Sequence, residues 1–128
     1  MEKERLIPCD SDVLMELIDR KNEKVFTNCL QLGFANICIS SISFSELICG
    51  SLNAEHQLML IKELDKFILC DLNPTIDKIH HDLIVRYALS HGLKVQDALI
   101  SATCLFFQMP LYTLNSKDFR FIEGLELV

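Results

Sequence analysis

A chain of 128 residues, half of them apolar, has room for one domain with one substantial core, and that composition excludes a disordered chain. A net charge of −6 repels a phosphate backbone over the surface as a whole, so nucleic acid is admitted only where acids gather around divalent cations that invert the local field. The charged start Met1-Glu2-Lys3-Glu4-Arg5 has neither a secretory nor a transit pattern, which predicts a cytoplasmic protein.

An apolar run at 6–9 ends abruptly in acid at Asp10, and helical spacing begins at Val13, Leu14, Leu17 and Ile18. That is the layout of a buried strand feeding a helix. Asp10 therefore falls at a strand's carboxyl end, where open α/β sheets bind ligands. Val25, Phe26, Cys29, Leu30 and Leu32, closed by Gly33, predict a second helix over 22–32. Residues 36–40 read as a second buried strand. Ser43 and Glu46 then have the spacing of a capping box, opening a third helix with Phe44, Leu47 and Ile48 as its apolar residues.

A fourth helix over 53–66 is expected to turn Leu58, Met59, Ile61 and Leu64 inward, and a third strand follows at 67–70. Asn73-Pro74 opens a fifth helix, with Pro tolerated in its first turn, that stops before His91-Gly92. Residues 95–107 give a sixth helix, 111–114 a central strand, and Leu125-Glu126-Leu127 a short last one. Strands alternating with helices predict a single α/β domain over 1–128: three layers, α/β/α, around a mainly parallel sheet of four or five strands. Residues 98–116 carry no charge and are nearly long enough to span a bilayer, but Pro110 divides them into a buried helix and a strand, so no membrane span is expected.

The six cysteines are scattered without Cys-x-x-Cys spacing and read as reduced, buried thiols rather than a zinc site or a disulfide framework. His80 and His81 are adjacent, about 100° apart on a helix, and are expected not to share a metal easily. Lys94, Lys117 and Arg120 are candidate phosphate contacts.

Four acids fall at the ends of elements on the side of the expected crevice: Asp10 after the first strand, Glu46 in the helix after the second, Asp97 opening the sixth helix, and Asp118 after the strand at 111–114. Each alone could simply meet a helix dipole. Together they repel one another and raise each other's pKa unless cations neutralise them. Oxygen-only donors favour Mg²⁺ or Mn²⁺, and the chemistry this suits is phosphoryl transfer.

Four stretches carry a family resemblance: 6–14 (Leu-Ile-Pro-Cys-Asp-Ser-Asp-Val-Leu), 39–47 around Glu46, 96–103 opening Gln96-Asp97-Ala98, and 112–119 with Tyr112-Thr113-Leu114-Asn115-Ser116-Lys117-Asp118-Phe119. In this order they resemble the successive motifs of PIN-domain ribonucleases, most nearly the VapC toxins of type II toxin-antitoxin systems. The resemblance implies an α/β/α fold, a metal-dependent endoribonuclease that cuts tRNA or ribosomal RNA to halt translation, and inhibition by a small VapB-like antitoxin. By position it makes Asp10, Glu46 and Asp97 metal-site acids. Two residues depart from the pattern: Asp12 stands where many members have Asn or Ser, and Asn115 where many have the fourth acid. Asp118, Asn115 or Asp12 then completes the site.

Two rival readings follow from the same residues. Asp10-Ser11-Asp12 also resembles the opening motif of haloacid-dehalogenase-like phosphatases, with Asp10 as nucleophile, Asp12 as acid/base and Ser40 as the second motif. A degenerate PIN domain acting only as a binding module would not need the intact Asp10, Glu46 and Asp97. Apolar residues in 25–32 and 44–59 exceed what thin helices bury on a small sheet, which predicts a homodimer and an antitoxin whose C-terminal segment lies across the helical cleft near the site.

Overall fold

The structure, a computed structural model, describes residues 6–128. The charged start, and with it the expectation about leader peptides, lies outside the described residues. Three parallel strands, β1 (Ile7–Pro8), β2 (Ile37–Ser40) and β3 (Ile68–Cys70), are arranged in the order β1-β2-β3, with Ile7 opposite Ile37 and Cys38 opposite Ile68. On the far side of β1 the sheet continues through two parallel bridges, Cys9 with Tyr112 and Leu111 with Leu127. The fourth and fifth strands are thus present as single bridges.

Pro8 supplies a reason for the short pairing there. Tyr112 N–H donates to the Pro8 carbonyl and Asp10 N–H to the Tyr112 carbonyl. Pro8, two residues before Asp10, faces the same neighbour and has no N–H to give it. The chain therefore builds outward from β1 to β3 and returns on β1's other side, so strand order reverses between β1 and residues 111–112. Asp10 stands at that reversal, where an open sheet leaves a crevice.

Among the described residues six helices cover the sheet: α1 (Ser11–Ile18), α2 (Glu23–Leu32), α3 (Ser41–Cys49), α4 (Ala54–Leu64), α5 (Pro74–His91) and α6 (Val95–Phe107). Asn22, Asn53 and Asn73 cap α2, α4 and α5 through their side-chain oxygens, satisfying N–H groups that have no intrahelical partner. Gly92 ends α5 at φ 66°, a left-handed conformation that favours glycine. Alternation along β2 separates two packing regions. Ile37 and Ile39 join Val13, Leu14, Val25, Cys29, Leu47 and Leu64 from the first four helices, whereas Cys38 packs with Cys70 and Met109. A further cluster of Ile76, Leu83, Tyr87, Ile100, Leu111 and Phe119 ties α5 and α6 to the returning strand.

Two details differ from the expectations. The cap of α3 is Ser40, whose hydroxyl accepts the Ser43 N–H at 3.1 Å, so the helix starts earlier and Glu46 lies in its second turn, outside any capping box. In α4 the buried residues are Leu60 and Leu64, while Leu58, Met59 and Ile61 are exposed. The helix presents its i, i+4 pair to the core and its other apolar residues elsewhere. All six cysteines are free, and all but Cys49 are buried. Among the described residues no helix is long and apolar enough to cross a membrane.

Candidate active site

The first β-to-α junction positions the most buried acid. Asp10, 6% exposed, is the N-cap of α1; its Oδ1 accepts the Ser11 N–H at 2.8 Å and its Oδ2 accepts the Thr113 hydroxyl at 3.0 Å. Its own N–H donates to Tyr112, so it is fastened to both strands flanking the reversal. Burial pushes its pKa up, and the charges of Asp97 and Asp118 add to the rise against the hydrogen bonds from Ser11 and Thr113.

Asp12, in the first turn of α1, reaches the returning segment. Its Oδ1 accepts the Val13 N–H at 2.7 Å, and its Oδ2 accepts the Leu114 N–H at 3.2 Å and the Asn115 side-chain amide at 3.0 Å. Burial, then the Asp10 charge, raise its pKa to about 6. Freed from capping, Glu46 extends from α3 toward the Ser11 hydroxyl, which donates to it at a long 3.5 Å. Its pKa is raised by desolvation and then by Asp10 and Asp97.

Asp97 is the third residue of α6, whose N-cap, Lys94, makes no side-chain capping bond. The Asp97 pKa is raised by burial and then by Asp118, with Lys94 opposing. Asp118 comes from a single 3₁₀ turn at Ser116–Asp118. These side chains line one cleft of about 260 Å³: Asp10, Asp12, Glu46, Asp97, Asn115 and Asp118, with Ser11, Lys94, Gln96 and Phe119. Lys117 and Arg120 are outside that lining.

Asp10, Asp12, Glu46 and Asp97 are each harder to ionise because of burial and neighbouring acids, which is the condition a hard cation relieves. The donor set fits Mg²⁺ or Mn²⁺ in kind. Among the described residues no three of these carboxylates hold oxygens within 4.8 Å of one another. Thr113 and Ser11, which hold Asp10 and reach Glu46, were invisible as contacts in the sequence. Thr113 is 103 residues from Asp10, and no spacing rule spans that.

The histidine expectation needs correction. His80 and His81 ring centroids are 5.4 Å apart, and both groups bring a ligating nitrogen near a carboxylate oxygen of Asp77. Residues three and four beyond Asp77 lie over the same turn from either side, so the 100° step between the two rings does not separate their tips.

A parallel α/β domain with converging, oxygen-only acids at the reversal point of its sheet defines the class: an acidic-cleft α/β protein suited to binding hard divalent cations. The chain belongs to the PIN domain family, whose model matches residues 7–124. No match was found among curated proteins. Among solved structures, the chain is similar to one described as VapBC2 from Rickettsia felis bound to a DNA fragment from their promoter (24% identity, TM-score 0.82, covering 96% of this chain and 97% of that one). It is also similar to DNA-bound VapBC from Salmonella typhimurium (21% identity, TM-score 0.84, 97% of each chain) and FitAcB from Neisseria gonorrhoeae (24%, 0.74, 95% and 96%). At these identities the likeness is one of fold.

Proposed function

We propose that the protein is a VapC-like endoribonuclease that hydrolyses phosphodiester bonds of tRNA or ribosomal RNA in the cytoplasm and is neutralised by a small VapB-like antitoxin. The observation that carries this reading is the convergence of Asp10, Glu46, Asp97 and Asp118 from four separate segments in one cleft. Asp10, Glu46 and Asp97 would hold Mg²⁺ or Mn²⁺, with Asp118 completing the acidic set and Asp12 and Asn115 as accessories. A bound cation supplies positive charge for the phosphoryl oxygens and lowers the pKa of water.

The chain's own residues do the rest. Thr113 and the Ser11 N–H keep the Asp10 carboxylate pointed into the cleft, and Asp12 pins Leu114 and Asn115 so that the Asp118 turn stays beside α1. Lys94, which lines the cleft, supplies positive charge for a phosphate there. Membership of the PIN family displaces the phosphatase reading. Asp12's oxygens are, moreover, engaged by three donors rather than presented to a leaving group.

Asp97→Asn removes one ligand charge while keeping the side chain's shape, so it separates catalysis from folding. The variant is expected to fold and bind antitoxin but to lose RNA cleavage, and EDTA is expected to abolish cleavage by the native protein. Products should end in 3′-hydroxyls. Cleavage that persists in EDTA and leaves 2′,3′-cyclic phosphates would overturn the mechanism, and a protein inert toward RNA and harmless on expression would favour the binding module.

A further inference from the structure

A second group of ligating side chains lies on α5, which contributes nothing to the acidic cleft. Asp77, His80 and His81 hold a carboxylate oxygen and two imidazole nitrogens within 4.8 Å of one another. His81 Nε2 is 3.6 Å from Asp77 Oδ1. The His80 Nε2 atom is buried and has no hydrogen-bond partner, so one of the two rings has polar capacity that the protein leaves unmet.

We propose that Asp77, His80 and His81 form a binding site for a borderline first-row divalent cation such as Zn²⁺. Two imidazoles and one carboxylate are the mixed nitrogen and oxygen set such ions take, with solvent filling the remaining position, whereas Mg²⁺ prefers oxygens alone. Bonds of about 2.0–2.2 Å require the donors to draw closer than they stand. The Asp77 and His81 side chains, 65% and 67% exposed, are free of core packing and close the gap by rotation. The ion then links residues 77, 80 and 81 across one turn and holds α5 in its helical form. This site shares no residue with the acidic cleft and stands whether or not the protein is a nuclease.

The test is calorimetric titration of Zn²⁺ into the full chain, with excess Mg²⁺ present to occupy the cleft and Cys49→Ser in the background to remove the exposed thiol. One Zn²⁺ per chain is expected, with His81→Ala weakening binding by about tenfold or more and Asp97→Asn leaving it within about twofold. The ring resonances of both His80 and His81 should shift on addition of Zn²⁺. Affinity unchanged in His81→Ala, or lost in Asp97→Asn instead, overturns the proposal. His81 is exposed, and matching circular dichroism of the zinc-free variant and parent is the folding control.

Discussion

Asp10, Asp12, Glu46 and Asp97 all hold protons more tightly than isolated carboxylates, burial being the largest cause in each and the neighbouring acids adding to it. A raised native pKa means that the folded state binds more protons than the unfolded chain. The stability these groups contribute is complete below about pH 4 and is lost as pH rises toward the Asp12 value of about 6. Glu16, held low by Asn22 and Arg20, acts in the opposite sense at lower pH. Without divalent cations, the melting temperature is therefore expected to fall between pH 5 and pH 7.5. Mn²⁺ at pH 7.5 should recover it, since an ion that binds only the folded state stabilises by mass action. A melting temperature flat across this range, with or without Mn²⁺, would show that the carboxylates neither repel strongly nor share a cation.

At the same scale, the two departures from the family pattern turn out to touch each other. Position 12 carries a carboxylate and position 115 an amide, and they hydrogen-bond at 3.0 Å. The sequence showed each as a separate anomaly because contacts between distant segments leave no periodic trace. Asp10, Glu46 and Asp97 were readable as candidates for a different reason: Asp10 ends a buried run, Glu46 lies in the helix after the second buried run and Asp97 opens a helix, and such element ends are marked locally.

Among the elements, α2 and α5 were legible nearly to their ends, because Asn22, Gly33, Asn73 and Gly92 are residues whose chemistry marks a boundary. The start of α3 was not, since Ser40, Ser41 and Ser43 offer several capping hydroxyls and only the end of β2 selects the first. α4 was misread because it is apolar on two sides. Leu60 and Leu64 enter the core, while Met59 joins Leu17, Ile18, Phe26, Phe34 and Phe67 around a groove of about 1050 Å³. That groove lies at the end of α1 away from Asp10. It is wide and apolar enough for an amphipathic segment, with Lys21, Lys66, Glu23 and Glu63 also lining it. We propose that the antitoxin of the proposed function docks here, rather than near the site as the sequence led us to expect. Phe26→Lys should release the antitoxin without unfolding the protein, because Phe26 is 51% exposed, and should leave RNA cleavage intact. Antitoxin binding unchanged in co-purification of Phe26→Lys would place the contact elsewhere.

For the molecule as a whole, the sheet ends on one side at β3, where Ile68, Leu69 and nearby Leu72 are exposed. An apolar edge strand invites another chain, and proteins that stay monomeric normally blunt such edges. We propose that a second copy of the chain pairs at this edge. Scattering at micromolar concentration should read a dimer for the native chain and a monomer for Leu69→Lys; a native monomer would remove the dimer from this account. The fold class was legible because alternating strands and helices permit few arrangements. The edge was not, because a run such as 67–70 reads alike at the centre of a sheet and at its border.

The bonds from Thr113 to Asp10 and from Asn115 to Asp12 also bear on how the protein is made. Ribosomes deliver the N-terminal part of a chain first, at about 5–20 residues per second, and structure can begin to form as it emerges. β1, β2 and β3 can pair during synthesis, but Asp97, Thr113 and Asp118 arrive among the later residues. A nascent chain shorter than 118 residues has an open sheet edge beside Asp10 and no complete acidic cleft. If the protein cuts RNA as proposed above, the order in which its parts appear withholds a complete cleft until synthesis is nearly finished.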